Sequence, residues 1–426
     1  SLAIARRHAR LDRPITVLTQ PNAGVGAARR GAVTAAKGDF LTFVDADDTL
    51  TRGGVRDAMD VIEKSGSDIA VMPYQRLEGS RTRPAAPWIR ALHACPATHV
   101  SLSDRPDVLV HAIACAKIFR RDFWDASALE FATVLLAGDQ VVSAKAYRDA
   151  DGIDILGPVA YSWRRQVSSI SQGQVTAEAI NARMDAADAV LEILAPLPDV
   201  RAERALQLLR YNVPNSLLKL ERADGRYLDA LIDRVPRVVA AAPVDRYDAE
   251  VPAQYRVLYA LLGSGDLDAV WRFVSAEGMQ PEMHPSGSEP AGLTTYLPGW
   301  SRDDVAPHAY VLTDEQTALR VVVRGARKEG TDLVLDVAAW FPNVDLVAPE
   351  LSVRTDGDVI DIEHRGEPMV VTSRQGAERR YGGSGWTVIL RDVARRAPRE
   401  IAVTLQDGLC SGTVTARIPR RRDLFM

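Results

Sequence analysis

Cysteine is scarce in this chain: Cys95, Cys115 and Cys410 are the only three among 426 residues, and they stand far apart. That spacing offers neither the paired thiols of a disulfide framework nor the close pairs of a zinc site, so a reducing compartment is the simplest setting. Charge of one sign is lacking too. Lys and Arg number 52 against 56 Asp and Glu, and the formal net charge of -4 gives no global basic field to attract nucleic acid. No apolar run reaches the ~18 residues of a membrane span. Nor does a basic start, apolar stretch and small-residue cleavage site mark a signal peptide. The expectation is a cytoplasmic chain, compatible with peripheral association at the inner face of the cell membrane.

What is present is ordinary for a globular protein, with 46% hydrophobic and 25% charged residues. The length is too great for one core and suggests two or three domains. The opening Ser1-Leu2-Ala3-Ile4-Ala5-Arg6-Arg7 reads as a helix already under way, so a preceding segment is expected.

From Ile15 to about Gln172, short β-branched runs alternate with helical stretches, the pattern of a mainly parallel sheet covered by helices. Ile15 to Thr19 predicts a strand, Gly26 to Lys37 an Ala-rich helix stopped by Gly38, Phe40 to Val44 a buried strand, and Ile69 to Met72 another. Val55, Met59 and Ile62 recur at helical spacing between the last two. From about Thr176 to Gly278 the pattern turns helical. Ile180, Met184, Ala187, Leu191 and Leu194 draw one apolar stripe; Leu206, Leu209, Val213, Leu217 and Leu220 draw a second, with Pro214 as a kink. His284 to Gly299, rich in Pro, Gly and Ser, reads as a linker. Beyond it, runs such as Arg320 to Val323, Leu333 to Ala338, Leu351 to Arg354, Val359 to Glu363, Trp386 to Leu390 and Ile401 to Leu405 suit a β-sandwich.

Chemistry concentrates in the first part. In Phe40-Leu41-Thr42-Phe43-Val44-Asp45-Ala46-Asp47-Asp48, side-chain alternation lets Asp45 and Asp47 project to one side where the strand ends. Two such carboxylates can hold a hard divalent cation and leave positions for diphosphate oxygens. Alternatively, Asp47 or Asp48 caps the next helix. Gly24 and Gly26 are by themselves ordinary turn residues. Arg164 or Arg165 could offer a guanidinium fork to a diphosphate, or stand solvated in a loop.

Order and spacing together are more specific. Asn22-Ala23-Gly24-Val25-Gly26-Ala27-Ala28-Arg29-Arg30, followed by a strand ending in Asp45-Ala46-Asp47-Asp48, resembles the family-2 glycosyltransferase pattern of an Asn-x-Gly turn, an Ala-Arg pair and Asp-x-Asp-Asp. Cys115-Ala116-Lys117-Ile118-Phe119-Arg120-Arg121 is similar to that family's Lys-Leu-Tyr-Arg-Arg segment. Leu136-Ala137-Gly138-Asp139-Gln140 falls where the family carries Glu-Asp-x, and Tyr161-Ser162-Trp163-Arg164-Arg165 with Ser168-Ser169-Ile170-Ser171 resembles its Tyr-x-Tyr-Arg and Ser-Ile-Ser ending. Two positions depart: Arg30 stands where Asn is common, and Gly138 where Glu is usual.

The resemblance covers about Ile4 to Ser171 and implies an α/β fold, a GT-A nucleotide-diphospho-sugar transferase domain lacking its first strands, at 1–172. A helical linker domain at 173–283, a linker at 284–299 and a C-terminal immunoglobulin-like β-sandwich at 300–426 are expected to follow. It implies a nucleotide-sugar donor, a UDP-sugar above all, held by Asn22, Gly24, Arg29, Asp45, Arg164 and Arg165. Mn2+ or Mg2+ would sit on Asp45 and Asp47, and Asp139 would serve as general base in an inverting transfer. Asp139 at a helix start also fits a cap, and a helix N-terminus favours the ionised, less basic carboxylate. The layout further resembles the enzymes that glycosylate wall teichoic acid, which implies a polymeric glycan or polyol-phosphate acceptor and allows a homo-oligomer through the C-terminal region. An inactive glycan-binding or oligomerisation module that keeps the fold is the other reading.

Overall fold

A computed structural model of the chain describes residues 2–12, 14–131, 138–164, 175–223, 225–355, 360–363, 366–391, 393, 398–408 and 410–419. The chain divides into two compact units, Ser1–Ala242 and Pro243–Met426. No helix among the described residues is long and apolar enough to cross a membrane.

The first unit begins with α1 (Leu2–Leu11), α2 (Gly24–Ala35), β1 (Phe40–Thr42), β2 (Thr49–Leu50), α3 (Gly54–Ser65), β3 (Ile69–Val71), β4 (Tyr74–Glu78) and β5 (Arg81–Arg83). It continues with α4 (Pro87–Ala94), β6 (Ala97–Val100), β7 (Lys117–Arg120), α5 (Arg121–Ala126), α6 (Gly138–Asp149), β8 (Ile153–Ile155) and β9 (Tyr161–Arg164). The larger sheet has the order β1-β7-β3-β8-β6. Among the described residues its only parallel pair is β3 with β8; β7 runs antiparallel to both of its neighbours, β1 and β3, and β6 runs antiparallel to β8. The expected mainly parallel sheet is therefore mixed. The error has a physical source: Ile118 and Phe119 are buried as completely as Ile69 and Val71, and a strand covered on both faces reads alike in either direction.

Three other local expectations change. Residues 15–19 form no strand, and Ile15 and Leu18 are exposed. Helix α2 ends at Ala35, with the extended Ala36 as its cap, so Gly38 is not the stop. Strand β1 stops at Thr42, and Phe43 goes into the core, against Phe119, Trp124 and Phe131 with ring centroids 6.3, 5.6 and 4.9 Å away. Helix α3 does carry the expected stripe, with Ile62 fully buried and Val55 and Met59 packed on the same core. Its first turn lies against the chain entering β9, since a Cβ on Gly54 would fall 2.6 Å from Ala160.

A second sheet has the order β2-β9-β4-β5. Residues Thr49 and Leu50, just after the acidic turn, pair with Ser162 and Tyr161, and β9 pairs in parallel with β4.

The helical stretch of this unit follows its apolar stripes. Ile180, Met184, Ala187, Leu191 and Leu194 are all buried on helix Ala177–Ile193, whose first turn is capped by Thr176 Oγ1 accepting from Ala179 N–H. After helix Pro198–Gln207 the chain widens into a π turn, Leu208–Asn212, before Val213–Leu217. That is how Pro214, expected as a kink, is accommodated: its ring would clash with the carbonyl four residues earlier in a regular helix. Pro236 inside helix Gly225–Ala240 is a second break that periodicity does not reveal. The stretch is joined to the α/β part by the buried Arg204, which donates to Leu109 O and to Gln140 Oε1 at 3.2 and 2.7 Å. Burial pulls its pKa down to about 10.

The second unit opens with helices Val244–Glu250, Ala253–Ser264 and Leu267–Ser275. Residues expected in a linker contain a hairpin, β10 (Ser286–Glu289) with β11 (Gly292–Thr295). Strands β12 (Arg320–Glu329), β13 (Asp332–Trp340), β14 (Glu350–Arg354), β15 (Ile360–Glu363), β16 (Met369–Thr372), β17 (Glu378–Tyr381), β18 (Gly385–Leu390), β19 (Glu400–Asp407) and β20 (Cys410–Arg417) follow. Sheet β12-β13-β18-β15 and sheet β14-β19-β20 share one core, where Leu335, Val337 and Val388 meet Val353, Val403 and Leu405. This is the sandwich arrangement, side chains alternating inward from both sheets.

Phe43→Ala would open a cavity among three aromatic rings beside the acidic turn. A loss of about 3–5 kcal/mol in unfolding free energy is expected from urea denaturation; a loss under about 1 kcal/mol would mean that the ring cluster collapses onto the gap.

Candidate functional site

The middle of α2, the residues beyond β1, the chain before β7 and the start of α6 converge on one guanidinium. Arg29 is nearly buried. Its Nη2 donates to Asp45 Oδ1 at 2.9 Å and its Nη1 to Asp139 Oδ1 at 2.5 Å, so one side chain links two carboxylates 94 residues apart in sequence. It also lies over the Phe131 ring, 5.2 Å from the centroid, and 3.6 Å from Cys115 Sγ. Burial works against the charge of Arg29, but Asp139, Cys115 and Asp45 more than offset it and hold the pKa above its ordinary value. The adjacent Arg30 points elsewhere, to Phe131 O at 2.6 Å and Glu130 at 3.3 Å, as successive helical positions must. At this position, where the resemblance leads one to expect Asn, Arg30 pins α2 to the loop before α6.

Asp139 is the second residue of α6, yet it does not cap that helix: Oδ1 takes Arg29 and Oδ2 accepts the Ala114 N–H at 2.9 Å. Nor do Asp47 and Asp48 cap α3, whose N-cap is Gly53 at φ 83°. Asp48 is instead a tie to β9, accepting from Tyr161 Oη at 2.5 Å and from Arg164 N–H at 2.7 Å. Burial, together with the charges of Asp47 and Asp45, pushes the Asp48 pKa up against those hydrogen bonds. Tyr161 Oη also accepts the Asp45 N–H at 3.3 Å, and burial and Asp48 raise its pKa far above the ordinary phenol value.

That leaves Asp47 exposed, with no side-chain partner among the described residues, and Asp45 with one oxygen beyond Arg29's reach. Arg164 comes to the same turn, its Nε donating to Asp47 O at 2.7 Å. Asn22 and Gly24 lie at the exposed start of α2, where Asn22 Oδ1 accepts the Gly24 N–H and Gly24 takes φ 85°. Arg165 and Ser168 to Ser171 lie outside the described residues. Asp45, Arg29 and Asp139 are thus in direct contact, Asp47 and Arg164 adjoin them, and Asn22 and Gly24 shape the entry of α2. Cys115, a thiol in a charged pocket, is held protonated: burial, then Asp45, pushes its pKa up to about 12.

Beneath the site lies a cluster that sequence reasoning assigned no role. Lys117 is fully buried on β7; its Nζ donates to His111 O at 2.8 Å and to Ile113 O, stands 3.1 Å from His111 Nδ1, and faces the Tyr147 ring. It thereby fixes residues 111–113, immediately before the Ala114 N–H that holds Asp139. His111 gives its other nitrogen to Met72 O, and the His93 ring stacks edge-on against it with centroids 5.5 Å apart. Burial keeps both histidines neutral, with the pKa of His93 near 4. The sequence signals that point here are a lysine set in the apolar run Ala114 to Phe119, opening β7, and its place in the segment that resembles the family's Lys-Leu-Tyr-Arg-Arg.

Residues 1–126 match the family model for glycosyl transferase family 2. The chain is 24% identical over 274 residues to TarS of Staphylococcus aureus, a poly(ribitol-phosphate) beta-N-acetylglucosaminyltransferase, across 61% of this chain and 44% of that protein. It is 23% identical over 177 residues to the uncharacterized glycosyltransferase EpsJ of Bacillus subtilis, across 40% of this chain and 50% of that one. The chain spans half or less of the length of these curated relatives. Among solved structures, S. aureus TarS superposes with a TM-score of 0.60 at 16% identity over 98% of this chain and 70% of its own. A TarS fragment in complex with UDP-GlcNAc superposes with a TM-score of 0.50 at 22% identity over 66% of this chain and 79% of its own. These likenesses give the fold.

Burial lowers the Lys117 pKa from 10.5 to about 7, against the pull of Asp139. Between those values the unfolded chain keeps a proton that the folded chain has shed, so the group's cost to folding is full below about pH 7 and fades as pH rises toward 10.5. The stability of the wild type relative to Lys117→Met should therefore climb between pH 7 and 9, by up to about 1 kcal/mol per pH unit, in urea titrations at each pH. Parallel profiles for the two proteins would show that Lys117 stays charged in its burial site.

Proposed function

We propose that this chain, which carries a glycosyl transferase family 2 domain over residues 1–126, transfers a sugar from a nucleoside diphosphate to a hydroxyl of a cell-envelope polyol-phosphate polymer, with inversion at the sugar carbon. The observation that carries the reading is the chain of contacts Asp45–Arg29–Asp139. It supports the reading because Asp45, taken as the donor-side carboxylate, and Asp139, taken as the acceptor-side one, lie within the span of one guanidinium that can also bind phosphate. UDP-N-acetylglucosamine is the first donor to try, since a fragment of the similar TarS was solved with it, and the name of that relative supplies the acceptor class.

A divalent cation, Mn2+ or Mg2+, fits the residues present. Asp45 and Asp47 offer hard oxygen donors at an accessible turn, and among the described residues no group of three or more acidic, His or Cys side chains closes a cage around an ion. Two carboxylates alone leave coordination positions for diphosphate oxygens and water, as such ions prefer. Bound there, the ion would neutralise the departing diphosphate.

The protein's own groups do the rest. Arg29 is multiply anchored and can turn one N–H toward the diphosphate while keeping Asp139 oriented, and Arg164 adds a second donor from the far side of the turn. Asp139 accepts the proton of the acceptor hydroxyl as its oxygen attacks the anomeric carbon; the bond from that carbon to the diphosphate breaks, and the nucleoside diphosphate leaves. The Ala114 N–H on Oδ2 leaves Oδ1 as the oxygen able to exchange Arg29 for the hydroxyl.

Asp47→Ala should abolish Mn2+- or Mg2+-dependent binding of UDP-N-acetylglucosamine in calorimetry while the circular dichroism spectrum stays unchanged. Undiminished binding would remove Asp47 from the cation site. Asp139→Asn keeps the size of the side chain and one of its two accepted hydrogen bonds but removes its basicity, so donor affinity should hold while transfer slows by about 100-fold or more. Near-normal turnover in that variant would make Asp139 a structural anchor. Absence of any nucleotide-sugar binding in the unaltered chain would favour an inactive glycan-binding module instead.

A further inference from the structure

The sheet β2-β9-β4-β5 links two places. At one end β2 and β9 carry the acidic turn; at the other, β4 and β5 form one wall of a cleft of about 540 Å3 whose opposite wall is α4. Tyr74, Gln75, Thr82, Arg83, Arg90 and His93 line it. None of these residues has a part in the chemistry described above.

The floor of the cleft is unusual in one respect. His93 is more than nine-tenths buried, and its Nε2 has no hydrogen-bond partner among the described residues. Its Nδ1 stands 2.6 Å from Leu156 O, an acceptor only, so the ring proton sits on Nδ1 and Nε2 presents a lone pair. The low pKa produced by burial agrees with this neutral tautomer. A buried acceptor without a donor is costly, and the group that satisfies it must bring an O–H or N–H.

The rim has the opposite need. Arg90 is exposed and has no ion-pair partner among the described residues, and Arg83 has only Glu78 at 3.8 Å. A pair of guanidiniums at a rim suits an anion with several acceptor oxygens, as phosphate is. Tyr74 supplies a ring wall, and its own strand position is paired with Tyr161, the partner of Asp48. The cleft therefore pairs an acceptor without a donor at its floor with two guanidiniums at its rim, which suits a molecule carrying both a hydroxyl and a phosphate.

We propose that the cleft between β4–β5 and α4 is a subsite for a polyol-phosphate unit of the acceptor chain, one hydroxyl donating to His93 Nε2 and the phosphate lying between Arg83 and Arg90. This inference rests on the transferase reading and deepens it by giving the acceptor a path across the second sheet to Asp139. A long acceptor gripped away from the reacting hydroxyl gains affinity without changing the chemistry, so these residues act on binding of the acceptor and not on the transfer step.

The test is calorimetry with ribitol 5-phosphate on the full chain, beside ribitol, inorganic phosphate and UDP-N-acetylglucosamine, for the wild type, Arg90→Glu and His93→Phe. Ribitol 5-phosphate should bind saturably, with ribitol and phosphate each about 10-fold weaker or more, and both substitutions should weaken it by about 10-fold, the scale of one lost charged hydrogen bond. UDP-N-acetylglucosamine affinity should stay within about twofold, since neither residue touches the donor turn. Because His93→Phe could disturb the floor, the imidazole Nε2 resonance of wild-type His93 is followed by NMR and should shift on saturation with ribitol 5-phosphate. The proposal is overturned if ribitol 5-phosphate does not bind, if it binds Arg90→Glu as well as wild type, or if the His93 resonance stays fixed, which would leave Nε2 to a buried water. Failure of UDP-N-acetylglucosamine to bind the wild type would instead strike the transferase reading, and the two failures are separate in the same data.

Discussion

Two carboxylates cannot face one another in a half-closed cleft without a cation between them, and in this chain that cation is Arg29. Its position explains much of the surrounding architecture. Helix α2 must lie so that Arg29 faces inward while Arg30 is spent on the loop before α6. Phe131 must present its ring face, where a cation gains from the aromatic quadrupole. The chain before β7 must stand still enough for the Ala114 N–H to hold the second oxygen of Asp139, and a buried lysine tying down the carbonyls of residues 111 and 113 does that. Each contact is modest; together they fix Asp45 and Asp139 against a single reference point.

Such an arrangement is pre-organised but not empty of charge. The guanidinium already takes one oxygen of each carboxylate, so on the proposed reading binding is an exchange of partners rather than the filling of a vacant pocket. Exchange keeps a positive charge beside both carboxylates until a partner arrives. The tie between Asp48 and Tyr161 holds the turn in place while Asp45 changes partners.

Much of this was legible in the sequence, and the parts that were not share a cause. The stripe from Ile180 to Leu194 and the alternating runs of the sandwich follow from burial on one face, which periodicity reports directly. Asp45, Asp47, Arg29, Arg164 and Asp139 stood out because residue types of scarce chemistry occur in a fixed order. Strand direction could not be read, since Ile118 and Phe119 are apolar whichever way β7 runs. Nor could the bridge itself: residues 29, 45, 115 and 139 meet only after a helix and a sheet have been folded around them. The capping alternatives for Asp48 and Asp139 were sound local physics overruled by distant partners, a phenol from Tyr161 and an N–H from Ala114, while that for Asp47 fell because α3 starts later, with Gly53 as its N-cap. His93 was silent because an unsatisfied ring nitrogen is a property of packing, and no spacing announces it.

Arg204 carries a consequence for how this protein can evolve. A guanidinium sealed between Leu109 O and Gln140 Oε1, one residue from Asp139, makes the helical stretch part of the interior of the α/β unit. Appended segments that touch their neighbours only through surface contacts can be traded between genes, since nothing is exposed when they depart. Here, removal of the helices would strip the inner face of α6 and release the residue beside Asp139, so sheet and helices are expected to be inherited together, as one heritable piece whose seam lies after residue 242.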